Sequence, residues 1–93
     1  MQFEWDEAKS ERNRVVRGLA FRVAVTMFEG YVVEREDVRH NYGEQRICAV
    51  GQVGETILVC VYTDRDGARR IISLRRANRK ERDGYREDQR RRH

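Results

Sequence analysis

The side chains in this sequence best suited to chemistry are its arginines. Of 20 basic residues only Lys9 and Lys80 are lysine, and the planar guanidinium is the group that meets a phosphate or carboxylate with two parallel hydrogen bonds. Arg46, Arg65, Arg70 and Arg75 fall in or beside β-rich runs, where a regular backbone would aim them. Charged throughout the accessible pH range, they can stabilise a developing negative charge but cannot give up a proton. Groups that can move a proton are few. Glu44 lies just ahead of Arg46 and can be read either as a base or as the ion-pair partner of a nearby arginine. His40 has the right ordinary pKa, about 6.5, but sits in the polar stretch Asp37-Val38-Arg39-His40-Asn41 and reads as exposed and uninvolved, while His93 is terminal and uninformative. Asp37 with His40, and Asp64 with Asp66, are close pairings without a known ligand spacing, so neither a metal nor another cofactor is expected. Cys48 and Cys60 lie in apolar alternating runs and read as reduced core residues.

The charge that surrounds these groups is uneven. Met1 to Leu74 hold 11 basic and 12 acidic residues, whereas Arg75 to His93 hold 9 basic and 4 acidic, so the whole excess behind the net charge of +4 lies in the last stretch. Nucleic acid, an acidic partner protein, or both in turn are the natural ligands of such a segment, and a solvated helix is the plain alternative. With 93 residues the chain can bury one modest core. It reads as a single domain over 1–93, with any site on its surface or in a shallow cleft. No apolar stretch approaches the roughly 20 residues that span a bilayer, and the N-terminus lacks a signal-peptide pattern, so a cytoplasmic location is expected and no membrane partner.

The elements that must position the arginines follow from periodicity. Phe3-Glu4-Trp5 alternates as a short strand, and Asp6 can cap a helix running to about Arg17 that Gly18 closes. Phe21, Ala24, Val25 and Phe28 form one apolar helical face, ended by Gly30. Tyr31 to Arg35 reads as a strand; Arg46 to Val53 and Thr56 to Thr63 form a hairpin around Gly54-Glu55. After the turn cluster Asp64-Arg65-Asp66-Gly67, Arg69 to Arg75 gives a further antiparallel strand. Strict alternation there would put Ile72 and Leu74 on one face and Ile71, Ser73 and Arg75 on the other, with Arg70 pointing away from Arg75. One face would meet the helices and the other could carry polar function. Asn78 with Glu81 has the form of a capping box opening a basic helix at about 78–91. Its only large apolar residue is Tyr85, so it should be frayed unless something it binds steadies it. The class is α+β, an antiparallel sheet of about four strands with two N-terminal helices and a C-terminal one.

Phe3-Glu4-Trp5-Asp6 with Lys9 and Asn13, the Phe21 to Phe28 helix, Gly43-Glu44-Gln45-Arg46, Gly51, Tyr62-Thr63-Asp64-Arg65, the run Arg70 to Ala77, and Glu81-Arg82 with Tyr85 occur together in one order and spacing. In this conjunction the chain resembles the BrnT family, toxins of type II toxin-antitoxin pairs, over nearly its whole length. The resemblance implies a RelE-like fold and a metal-independent ribonuclease activity that blocks translation. It also implies a DNA-binding, BrnA-like antitoxin that forms a hetero-oligomer with the toxin and represses their shared operon. One departure stands out: the family usually carries Lys-His-Gly at the end of the first helix, where this chain has Val16-Arg17-Gly18.

Cleaving RNA without a metal needs a base for the 2′-hydroxyl, cations for the charge developing on phosphorus, and an acid for the leaving 5′-oxygen. On that reading Glu44 is the base, Arg46 and Arg75 the first choices for the phosphate clamp, and Tyr85 a proton donor or base-stacking ring, unless it anchors its helix to the sheet. Arg65, Arg70, Ser73, Arg76, Arg79 and Arg82 are the candidates for holding the RNA. Two alternatives stay open: a catalytically weakened homologue that keeps antitoxin and nucleic-acid binding, and a plain basic interaction module.

Overall fold

The computed structural model describes residues 1–39 and 41–92. Its elements run β1 (Gln2–Trp5), α1 (Glu7–Arg17), α2 (Arg22–Met27), β2 (Val32–Glu36), β3 (Ile47–Val53), β4 (Thr56–Arg65), β5 (Ala68–Arg76) and α3 (Arg79–Arg91). The sheet has five strands rather than about four, in the order β1-β5-β4-β3-β2. The extra member is β1, which joins the outer edge of β5 in parallel, with Glu4 opposite Arg70. The other pairings are antiparallel.

Local chemistry accounts for most boundaries. The Asp6 carboxylate accepts the Ala8 and Lys9 amides at 2.9 and 3.2 Å, and Gly18 closes α1 in the left-handed conformation. β4 and β5 are joined by Asp66 and Gly67, both with positive φ, the backbone a tight two-residue hairpin requires. The apolar period from Phe21 to Phe28 is real, but only its middle is helix. Phe21 and Phe28 serve as the cap positions of the six-residue α2.

Strict alternation fails in β5. Val61 pairs with Ser73 and Tyr62 with Ile71, so Ile72 is the extra residue of a β-bulge. Ile71 and Leu74 therefore share one face and both are buried in the same cluster, contrary to the expected grouping of Ile72 with Leu74. Beyond the end of β1, α1 covers the remaining edge of β5. The Asn13 side-chain amide donates to the carbonyls of Leu19 (2.7 Å) and Leu74 (2.9 Å), and the buried Ser10 hydroxyl accepts the Phe21 amide at 2.9 Å.

Both faces of the sheet are covered, not one. Under α2 lies the larger core, with Phe21, Met27, Leu58, Ile71 and Leu74 almost wholly buried. Helix and strand meet most closely at Gly51, where an added Cβ would stand 2.5 Å from the Met27 Cγ. On the opposite face Ile57, Val59, Ala77 and Tyr85 form a second cluster under α3. Tyr85 donates its hydroxyl to the Tyr31 carbonyl (2.8 Å), and the Tyr31 hydroxyl donates to Asp88. The basic helix is thus docked on the sheet by one buried ring and polar tethers, where a frayed helix was expected.

Candidate functional site

The bulge decides which arginines meet. Val59, Val61 and Thr63 alternate along β4 onto one face, and their partners across the ladder are Arg75, Ser73 and Arg70. All three consequently lie on the α3 side of the sheet. Arg70 does not point away from Arg75, as regular alternation required, because Ile72 inserts one residue between them. Arg46, one residue ahead of β3, keeps its pairing through the Asp37 amide, which donates to the Arg46 carbonyl at 2.8 Å.

Next to the apolar cluster under α3, this face opens into a groove of about 420 Å³ lined by Arg35, Asp37, Arg39, Ser73, Arg75 and Glu81. Arg75 is held in a two-point ion pair, with Nη1 and Nη2 each 2.8 Å from a Glu81 oxygen. Glu81 also closes the capping box of α3, accepting the Asn78 amide at 2.8 Å. The Arg75 guanidinium first, with the Asn78 amide, holds the Glu81 carboxyl down from its ordinary 4.5 to about 2, against the partial burial that opposes it. The buried Asp37 carboxylate grips Arg39 in the same way, at 2.8 Å to Nε and 2.9 Å to Nη2, and also accepts the Tyr42 hydroxyl at 3.4 Å. Arg39 likewise lowers Asp37 to about 2. Carboxylates held this far down are poor proton acceptors near neutrality, so Asp37 and Glu81 serve to aim arginines.

A second charged cluster sits at the far end of β3 and β4. Glu44 lies 3.3 Å from Arg46 Nε and 3.9 Å from Arg65 Nη2, and the Arg46 guanidinium stacks over the Tyr42 ring at 3.9 Å. Glu44, Arg46 and Arg65 are therefore together, and Glu44 has an ion-pair partner in each arginine. Arg70 pairs with Glu4 across β1 and β5 at 3.1 Å.

The remaining sequence candidates are elsewhere. Tyr85 is buried with its hydroxyl engaged, which leaves it an anchor of α3 and no proton donor or stacking platform. Arg76 turns to α1, where its Nη1 donates to the Arg17 carbonyl, and Arg82 folds back on the Ala77 carbonyl at 2.9 Å. Arg79 is exposed on the first turn of α3. His40 and His93 lie outside the described residues. Arg35, Asp37 and Arg39 were missed in the sequence. The one available signal was an acid two residues from an arginine in a polar stretch, which is too common to single out. Val16 and Arg17 are exposed at the end of α1. Among the described residues no three His, Cys, Asp or Glu side chains gather where they could hold a metal ion. Cys60 is buried, and burial pushes its thiol up to about 12; Cys48 is half-buried on the groove side, and neither is in a disulfide.

The family model for the ribonuclease toxin BrnT of type II toxin-antitoxin systems matches residues 5–81. This chain belongs to the BrnT family. The match spans the end of β1 through the first turn of α3, and so includes Arg75 and Glu81 while leaving out most of the basic helix. No curated protein matches the chain. Membership in this BrnT family makes it a relative of ribonuclease toxins and implies a protein antitoxin as a partner. No helix among the described residues is long and apolar enough to cross a membrane.

Proposed function

We propose that this BrnT-family chain is a metal-independent endoribonuclease acting as one domain over 1–93. On this reading the fold is RelE-like, cleavage inhibits translation, and a BrnA-like DNA-binding antitoxin neutralises the chain in a hetero-oligomer. The supporting observation is the alignment of Arg70, Ser73 and Arg75 on one sheet face beside the carboxylate-aimed Arg39. Arg75 in the groove and Arg46 in the cluster at the far end of β3 and β4 would have to close on the scissile phosphate from opposite ends of the sheet face, and there they stabilise the charge that develops on its oxygens. Glu44 takes the 2′-hydroxyl proton, the 2′-oxygen attacks phosphorus, and the bond to the 5′-oxygen breaks, leaving a cyclic phosphate and a 5′-hydroxyl. With Tyr85 buried, water protonates the departing oxygen. Arg65, Arg70, Ser73 and Arg79 hold the flanking strand.

One observation favours the weakened-homologue reading as a second. Two of the three carboxylates that line the groove, Asp37 and Glu81, are tied to arginines while Glu36 is not, Glu44 is tied as well, and Val16-Arg17 stands where relatives carry Lys-His. The two readings part at turnover, since both bind RNA and only one yields product. The test is incubation of the purified chain with end-labelled RNA in excess chelator. Cleavage that persists supports the metal-free enzyme, and cleavage that stops and returns with a divalent cation sinks it. Stable binding without product leaves the second reading.

A further inference from the structure

A smaller cleft, of about 280 Å³, runs between α1 and the bulged part of β5, lined by Lys9, Arg12, Val16, Arg17, Ile72 and Ser73. Ser73 lines this cleft and the arginine groove as well, so the two are contiguous across β5. Their cations differ, although Arg35 of the groove, like the arginines of the cleft, has no ion pair among the described residues. In the groove, Arg39 and Arg75 are each gripped by a carboxylate at 2.8 Å. In the cleft, among the described residues, neither Arg12 nor Arg17 has an ion-pair or hydrogen-bond partner for its guanidinium. The acids of α1 are engaged elsewhere: Glu7 accepts from the Trp5 indole at 3.2 Å, and Glu11 holds Arg14 at 2.6 Å. Val16, 77% exposed, and Ile72 give the cleft an apolar wall.

We infer that this cleft is a second RNA subsite, which binds the phosphates of single-stranded RNA flanking the nucleotide held in the arginine groove. The inference rests on the ribonuclease reading above for the strand's identity, and on the cleft for its placement. Unpaired guanidinium groups gain most from a phosphate, because no ion pair has to break and condensed counterions are released. A strand crossing β5 at Ser73 would pass from paired arginines that fix one phosphate to free cations that hold its neighbours. The apolar wall suits the sugar or base between them. An acidic protein segment is the competing ligand, but continuity with the groove favours the strand that the groove itself would hold.

The test uses the full chain, fluorescently labelled RNA made uncleavable by 2′-O-methylation, and anisotropy across a salt series. Two strands are compared, one of about 12 nucleotides and one of about 3. The double variant Arg12→Gln with Arg17→Gln is expected to flatten the log-log salt slope by roughly 1.4 on the long strand, about 0.7 for each phosphate left without its arginine. On the short strand, which fills the groove alone, the slope should hold. Arg22→Gln, an exposed change on α2, is the control for a general loss of charge. Unchanged slopes, or equal flattening on both strands, would overturn the subsite. So would a polyglutamate peptide that binds as tightly as the long strand and weakens as much in the variant. If the variant shows the slope change and the wild-type chain never cleaves methyl-free RNA, the ribonuclease reading falls and the subsite stands.

Discussion

On the face under α2, Phe21, Met27, Leu58 and Leu74 are sealed, and the helix sits so close that Gly51 has no room for a methyl group. On the face under α3, apolar packing stops at Ile57, Val59 and Tyr85, and the sheet continues as a groove with Ser73, Arg39 and Arg75 on its walls. The two faces share the same strands, so the strands do not explain the difference. What differs is how each covering helix is attached. The short α2 brings Ala24 and Met27 into an apolar core, with Arg69 stacked over Phe28 and Tyr62 at its margin, while α3 inserts a single ring and is otherwise fastened by Glu81, Asp88 and the tyrosine hydroxyls. A helix held by a few polar tethers leaves the rest of its face open, and an open sheet face is where arginines can be presented.

The largest expected effect is at the ring that makes this arrangement possible. Tyr85→Ala should destabilise the chain by about 3–5 kcal/mol, because it removes the one buried side chain of α3 together with its hydrogen bond to Tyr31. Denaturant unfolding would read it, and a loss below about 1 kcal/mol would mean that the tethers alone hold α3.

Next comes the contrast in slack between the faces. Gly51→Ala should cost about 1–3 kcal/mol, since the new methyl meets Met27 and Val32 inside van der Waals distance. Cys48→Val, which adds volume beside the open groove, should change stability by less than about 0.5 kcal/mol. Equal costs would show that the groove face is as tightly packed as the other.

Glu81→Gln tests the polar fastening. It breaks the two-point pair with Arg75 and weakens the capping box, for an expected loss of about 1–2 kcal/mol at neutral pH. Because the folded carboxyl titrates below its ordinary value, its contribution is complete above pH 4.5 and fades as the pH falls through about 2. Thermal melts of wild type and variant should therefore converge between those values, and a constant gap would place the effect elsewhere.

A modest effect should also follow deletion of Ile72. Removing the bulged residue makes Ile71 and Ser73 consecutive, so the partners of both halves of β5 on β4 are preserved and the loss should be on the order of 1 kcal/mol. Had β5 been regular, the same deletion would have turned Ser73 and Arg75 into the core, and the protein would fail to fold.

That bulge marks the limit of what could be read from the sequence. Asp6, Gly18, Asn78 with Glu81, and the Asp66-Gly67 turn act on their own neighbours, so their chemistry was visible in a few consecutive residues. Ile72 looks like any strand residue, and only the fit of Ile71 and Leu74 into one core forces it out of register. The parallel seat of β1 beside β5 depends on residues 66 positions apart, such as Glu4 and Arg70. The groove was half legible. Ser73 and Arg75 were placed together by alternation, whereas Asp37 and Arg39 join them only because the segment between β2 and β3 is drawn in by the Asp37 amide and the Arg46 carbonyl. Tyr85 offered a catalytic and a structural reading in sequence, and burial selected the structural one.

Cleavage of RNA on the open face is proposed to run through the guanidinium that Glu81 aims. It is tested most directly by single-turnover cleavage of labelled RNA in chelator, comparing the wild-type chain with Arg75→Ala after circular dichroism has shown both to be folded. The variant is expected to lose about 10²–10³-fold in rate, the usual effect of removing one preorganised electrostatic stabiliser. Cleavage by Arg75→Ala at the wild-type rate would contradict it.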